Sequence, residues 1–313
     1  MDIAVAPRLR PAADCRALAP ARAWLRDAPA RAAVLGTLTR PSAGPHGAPP
    51  GCGRTHLPAM AAALLIRVRA GTVQRPDAPG QGEPALGPGL YLSGPRERPH
   101  TLVHAPEAEL TLVALRPQAW RARMHTDWTA LKERLVPAQE WCPLAYGPQA
   151  QDLQACLAGE DPVQALEAML RASSKAMPAA PDGEGLRGLW QGLGSDLAQR
   201  PVGERQRQRL ARAWTGLTPR MLRSQARAEA ALVHGAALLQ RGQLDWRQVA
   251  LLAGYSDQSH LCRETRRLTG FSPVQLMQGM LGDEAFWVYR AWALARLGGP
   301  MLGTSTGMEN CWK

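Results

Sequence analysis

The chain has 313 residues, 45% of them apolar, and a formal net charge of +11. That length accommodates two separately cored domains, the apolar content excludes a disordered chain, and no apolar run approaches the ~18 residues of a membrane span. Only Lys132, Lys175 and Lys313 are lysines, so the excess charge is almost all arginine, a balance that favours a polyanionic partner.

Residues 1 to 30 are rich in Ala, Pro and Arg and are interrupted by Pro7, Pro11, Pro20 and Pro29. They read as an extended, flexible arm, with room for one helical turn at Ala21 to Leu25. The opening MDIAVAPRLRPAAD has no apolar core of signal-peptide length, which points to a cytoplasmic setting. Cysteines 15, 52, 142, 156, 262 and 311 are scattered without a CxxC pair, consistent with a reducing compartment and with neither a disulfide framework nor a zinc site.

From residue 31 short apolar runs alternate with Pro/Gly clusters. AAVLGTLT, MAAALLIRVRAGTV, LYLSG, TLVHA and ELTLVAL read as five or six strands of a β-rich domain over 31–136, a barrel or sandwich suited to sensing or dimerisation. The segment QAWRARMHTDWTALKERL that follows reads as helix, as does 138–170 with its leucines at helical spacing. SSKAMPAAPDGEG, residues 173–185, has the composition of a linker, so 137–185 is expected to connect the β-rich domain to a helical one at 186–281. A final amphipathic helix and tail occupy 282–313. The expected class is therefore α+β: a β-rich N-terminal barrel or sandwich followed by an all-α domain.

Histidines invite a metal reading and do not support it. His100 and His104 share a strand face but stand ~13 Å apart, too far to chelate one ion, and His46, His56 and His125 occur singly. No metal and no cofactor are expected, and no Ser or Cys nucleophile stands in a recognisable triad.

Charge is concentrated toward the C-terminal end. Residues 200–280 hold thirteen Arg and no Lys against five acids, which is about +8 of the total +11. Within this stretch, Leu244 to Leu276 contains two amphipathic segments hinged at Gly254. On the second, Leu261, Glu264, Thr265 and Leu268 fall on one side, and Gln258, Ser259, Cys262, Arg263 and Arg266 on the other. That is the pattern of a helix-turn-helix, one side packing and the other reading. A repeat of period 54 gives it an upstream partner: Gly216-Leu217-Thr218-Pro219 matches Gly270-Phe271-Ser272-Pro273, and Arg209 and Arg212 match Arg263 and Arg266. Gly203 to Thr215 is then a first reading helix, and Pro219 to Gln240 a connecting helix capped by Thr218. In the first copy Arg207 stands where the second has Leu261, and Ala211 stands opposite Thr265.

Val249-Ala250, Ala253-Gly254-Tyr255, Asp257-Gln258-Ser259-His260, Arg263 and Gly270-Phe271-Ser272-Pro273, in this order and spacing, resemble the second helix-turn-helix of the AraC/XylS family of bacterial transcription regulators. Leu261 and Thr265 depart from that family, which usually carries Phe at both positions. The N-terminal domain resembles, more loosely, a domain of unassigned function that precedes the module in one subgroup. The resemblance implies a DNA-binding regulator with two readers in successive major grooves. It implies base contacts from Arg205, Gln208 and Arg209 in the first reader and from Gln258, Ser259, His260, Cys262 and Arg263 in the second. Arg212, Arg220, Arg266 and Arg267 are assigned to phosphates. Promoter DNA is the implied partner, with RNA polymerase and an unidentified small-molecule effector as further ones, no membrane, and a monomer or homodimer.

Two other readings compete. Alkyl-transfer DNA repair enzymes carry the same module, but they need a reactive Cys in a Pro-Cys-His-Arg type context or a zinc-holding Cys cluster, and no cysteine of this chain has either. A degenerate regulator acting by protein contacts alone is the third.

Overall fold

The computed structural model describes residues 22–24, 34–40, 53–74, 86–105, 108–115, 127–137, 140 and 201–296. The helices expected over 138–170, the linker at 173–185, and residues 186–200 lie outside these. So does every cysteine except Cys262.

Among the described residues nine strands form two antiparallel sheets. The larger, in the order β1-β2-β8-β4-β6-β9, comprises β1 (Arg22–Trp24), β2 (Val34–Arg40), β4 (Ala63–Val68), β6 (Gly89–Ser93), β8 (Leu110–Leu115) and β9 (Leu135–Pro137). The smaller, in the order β3-β7-β5, comprises β3 (Gly53–Leu57), β5 (Val73–Gln74) and β7 (His100–His104). Leu57, Val73 and Leu102 of the small sheet join Leu64, Ile66, Leu110 and Leu112 of the large one in a single apolar core. The arrangement is a sandwich of two open sheets, not a closed barrel. Strand β4, ALLIRV, is central and buried on nearly all its length, and Ile66 is paired with Leu112 on one side and Tyr91 on the other. A continuous apolar run suits a strand covered on both faces; β7, HTLVH, instead alternates between buried and half-buried positions.

Three expectations are corrected. Within the arm, Arg22–Trp24 is neither a free segment nor a helical turn but an edge strand, with Arg22 opposite Thr39 and Trp24 opposite Thr37, which satisfies the outer backbone groups of β2. Of the helix expected at QAWRARMHTDWTALKERL, residues 118–126 lie outside the described ones; the rest forms one turn, α1 (Trp128–Leu131), started by Asp127, whose side chain accepts from the Thr129 and Ala130 amides. The chain then turns through Glu133 at φ 59° and enters β9, where Val136 pairs with Leu92. Sheet pairing outcompetes the helical pattern there. Finally, the run MAAALLIRVRAGTV holds β4 and the start of β5, and Gly53–Leu57 is a strand that the Pro/Gly punctuation hid.

The C-terminal domain consists of α2 (Glu204–Thr215), α3 (Pro219–Gln240), α4 (Trp246–Leu252), α5 (Gln258–Thr269) and α6 (Pro273–Gly282). A 3-10 turn, Glu284–Phe286, leads to α7 (Trp287–Arg296). No helix among the described residues is long and apolar enough to cross a membrane. The expected amphipathic final helix is present, and it joins the two domains. Trp287 is fully buried and its indole N–H donates to Thr55 Oγ1 in β3 at 2.9 Å, while Thr55 Oγ1 lies 3.2 Å from His104 Nε2. One turn further, the Trp292 N–H donates to Glu229 Oε1 of α3 at 2.7 Å.

Thr55→Val removes the acceptor of a buried indole N–H and should cost about 1–3 kcal/mol, read as a lower urea midpoint of the full chain. An unchanged midpoint would mean that the bond adds nothing to the joint between the domains.

Candidate nucleic-acid interface

The 54-residue repeat is reproduced atom by atom. Helices α2 and α5 each end at a left-handed glycine: Gly216 at φ 73°, with its amide on Arg212 O at 2.7 Å, and Gly270 at φ 83°, with its amide on Arg266 O at 2.9 Å. A residue with a Cβ is strained in that region, which is why the repeat carries glycine at both points. The preceding threonines act alike: Thr215 Oγ1 donates to Ala211 O at 2.8 Å and accepts from the Leu217 amide, and Thr269 Oγ1 donates to Thr265 O at 2.7 Å and accepts from the Phe271 amide. Thr218 and Ser272 then cap α3 and α6, each with proline at the first helical position. The Thr215/Thr269 pair obeys the same period and was open to detection by it.

The second helix-turn-helix is α4–α5. Asp245 caps α4 by accepting from the Arg247 amide, and Gly254, at φ 76°, follows its last turn. Asp257 caps α5, accepting from the His260 amide at 2.7 Å, and this bond, with that from Ser256, holds its carboxyl below the usual range. Leu261, Thr265 and Leu268 are buried. Gln258, Ser259, Arg263 and Arg266 are exposed on the opposite side, and Cys262 is half-buried. His260 is also half-buried: its ring meets Tyr255 edge-on at 5.2 Å, and Nδ1 lies 3.1 Å from Ser256 Oγ.

On α2, Arg205, Gln208, Arg209 and Arg212 are exposed, as is Arg220 at the start of α3. Gln208 Nε2 donates to Glu204 Oε1 at 3.2 Å. Ala211 is fully buried opposite Thr265, whereas Arg207, in the place of Leu261, stays half-buried and pairs with Glu204 at 3.6 Å. The polar side chain at this position leaves the first helix with less apolar anchoring than the second.

Arg267 differs from the other arginines assigned to phosphates. Its guanidinium donates to Ser224 Oγ at 2.7 Å and to Glu264 Oε1 at 3.2 Å, so it braces α5 against α3. Glu264, on the packing side of α5, is the centre of this cluster and also accepts from Ser224 and from Arg227, the latter at 3.0 Å. Burial alone would raise its pKa, but the Ser224 and Arg227 hydrogen bonds and the charges of Arg227 and Arg267 outweigh it and hold the carboxyl below its usual range. Arg227 also lies over the Tyr255 ring, 5.2 Å from its centroid. An acidic residue on a packing face is a sequence signal that cationic partners stand opposite it, but their identity needs the fold.

The N-terminal domain touches both α2 and α5 at their C-terminal ends. The Trp128 carbonyl lies against Gly216, where an added Cβ would stand 2.8 Å from its oxygen. The Ala59 amide donates to Leu268 O at 2.7 Å, and Gln225 Nε2 of α3 donates to Arg96 O at 2.8 Å. His104 and His100 are both buried in β7, and no group of three metal-ligating side chains occurs among the described residues.

Residues 199–279 match the model of a family described as a helix-turn-helix domain. This segment is an AraC-type helix-turn-helix domain. No curated protein matches the chain. Among solved structures it is similar to ToxT of Vibrio cholerae. An apo variant from strain SCE256 is 11% identical, with 79% of this chain and 98% of that chain covered and a TM-score of 0.36. ToxT from strain O395 gives 10%, 74%, 97% and 0.34. The O395 protein bound to (E)-4-(8-methylnaphthalen-1-yl)but-3-enoic acid gives 10%, 74%, 99% and 0.33.

Glu264→Gln should destabilise the AraC-type domain at pH 7 by about 1–3 kcal/mol. Because the folded carboxyl titrates below its unfolded value, its stabilisation is present above the ordinary carboxylate range and is lost as the pH falls through the folded pKa. The gap between wild type and variant should therefore narrow on acidification in denaturant titrations. A gap independent of pH would assign the loss to packing.

Proposed function

We propose that the chain is a sequence-specific transcriptional regulator in which α2 and α5 enter successive major grooves on one face of promoter DNA. The observation that carries this reading is the atomic repeat: two helices with the same threonine-bridged, left-handed glycine exit and the same arginine spacing, linked through one 22-residue helix. Such a helix is ~33 Å long, comparable with the ~34 Å turn of the duplex. Gln258, Ser259, His260, Cys262 and Arg263 are the base-reading set of the second helix, and Arg205, Gln208 and Arg209 that of the first. Exposed Arg and Gln have the paired donors and acceptors that discriminate guanine and adenine. Arg212, Arg220 and Arg266 contribute affinity through phosphates, with Arg267 doing so only insofar as its brace allows.

The N-terminal sandwich acts as the sensing or self-associating part, and its contacts with the ends of both readers supply a route by which its state alters their seating. The better-anchored α5 sets sequence preference, and α2 contributes mainly affinity. RNA polymerase is the further partner such a regulator addresses. The repair reading would require alkyl transfer onto a cysteine in a Pro-Cys-His-Arg type context, and Leu261-Cys262-Arg263 is not one, which favours the regulator.

Arg263→Ala should cost about 1–3 kcal/mol on a selected site and relax one base position, whereas Arg212→Ala should weaken all sequences alike and lower the salt slope by about one. Binding titrations at several salt concentrations, with in vitro site selection, read both effects. Equal affinity and equal preference in wild type and Arg263→Ala would remove α5 from base reading.

A further inference from the structure

A cavity lies behind α5, where the two domains and the C-terminal helix meet. It holds about 940 Å³ of space free of protein atoms when the part that opens to solvent is counted. Its walls are β4 and β8 of the large sheet, the turn after β3, and helices α3 to α7. The space exists because small side chains face it: Ala59, Ala114, Ala228, Ala231, Thr265 and Thr269.

The lining is almost wholly apolar, yet two of its residues each have a buried side-chain oxygen without a hydrogen-bond partner. Gln225 is 2% exposed; its Nε2 is engaged by Arg96 O, but its Oε1 accepts nothing. Tyr289 is 3% exposed, and its hydroxyl has no partner either. Burial holds the Tyr289 phenol far above its usual range, so it remains a neutral donor. Leaving such groups unpaired in an apolar wall is costly, and a ligand that pairs with them removes that cost.

Charge narrows the class further. No Lys, Arg or His is among the described residues that line it. Those residues offer an anionic ligand no cation to pair with.

We propose that this cavity binds an uncharged, largely apolar molecule bearing a hydroxyl-type group that donates to Gln225 Oε1 or accepts from Tyr289. Such a ligand would rest on Leu261, Thr265 and Leu268, the packing side of the helix whose other side carries Gln258, Ser259 and Arg263. Its occupancy therefore acts on the seating of the second reader. As a sensing site it rests on the regulator reading; as a binding site it does not, and its test uses no DNA.

Trp246 and Trp292 line the cavity, so a bromine-labelled ligand seated there quenches their fluorescence. A long-chain bromoalkanol and the bromoalkanoate of the same chain length are titrated into the full chain at pH 7. The expected result is saturable quenching by the alcohol, with an apparent Kd about tenfold or more below that of the carboxylate. Thr265→Phe and Ala228→Leu, which fill opposite walls, should abolish it while thermal unfolding stays cooperative. Gln225→Leu should shrink the preference for the alcohol. If one filling variant fails to fold, the other decides. No saturable quenching by the alcohol, equal or tighter binding of the carboxylate, or full binding by a folded filling variant would overturn the proposal.

Discussion

The connecting helix α3 is buried around much of its circumference, and every polar side chain it buries is answered by a different neighbour. Ser224 meets Glu264 of α5, Gln225 donates to the Arg96 carbonyl of the N-terminal domain, and Glu229 accepts from Trp292 of α7. Burying a polar group without a partner is costly, so these bonds specify how the surrounding elements sit on α3 as well as that they do. The second reader, the β-sandwich and the C-terminal helix are thereby referred to one rigid axis. The first reader is fixed to the same axis through the Thr215–Gly216–Leu217 turn.

Helices α2 and α5 are unequal in a way that follows from their packing sides. Leu261 and Leu268 anchor α5 in apolar surroundings, while the corresponding start of α2 has Arg207, half-buried and paired with an exposed Glu204. Surface pairs of that kind contribute little to stability. Against this, α2 gains the close approach of Trp128 at its glycine exit, so the N-terminal domain supports the copy that is weaker by itself.

Much of the C-terminal domain was legible in the sequence because local chemistry determines its boundaries. Thr218-Pro219, Ser272-Pro273, Asp257 and the glycines at 216, 254 and 270 act within a few residues, and α2, α3 and α5 begin and end as those signals require. The N-terminal domain was legible only in its longer strands. GRTHL follows a Pro/Gly run, Val73–Gln74 is two residues long, and Leu135–Pro137 sits in a stretch with helical periodicity; each becomes a strand only because a partner edge is waiting. Among the site residues, exposure of the arginines followed from helical phase, but the diversion of Arg267 to Ser224 and Glu264 depends on α3 lying beneath it. Likewise Thr265 is visibly small for a core position, yet that it borders a cavity depends on where the β-sandwich docks.

The central claim is that α2 and α5 are paired readers held at one separation by a shared axis. Hydroxyl-radical footprinting of the full chain on a selected DNA site tests it most directly. The account predicts two protected stretches on the same face of the duplex, their centres about 10–10.5 base pairs apart. A single protected stretch, or two offset by half a turn, would contradict it.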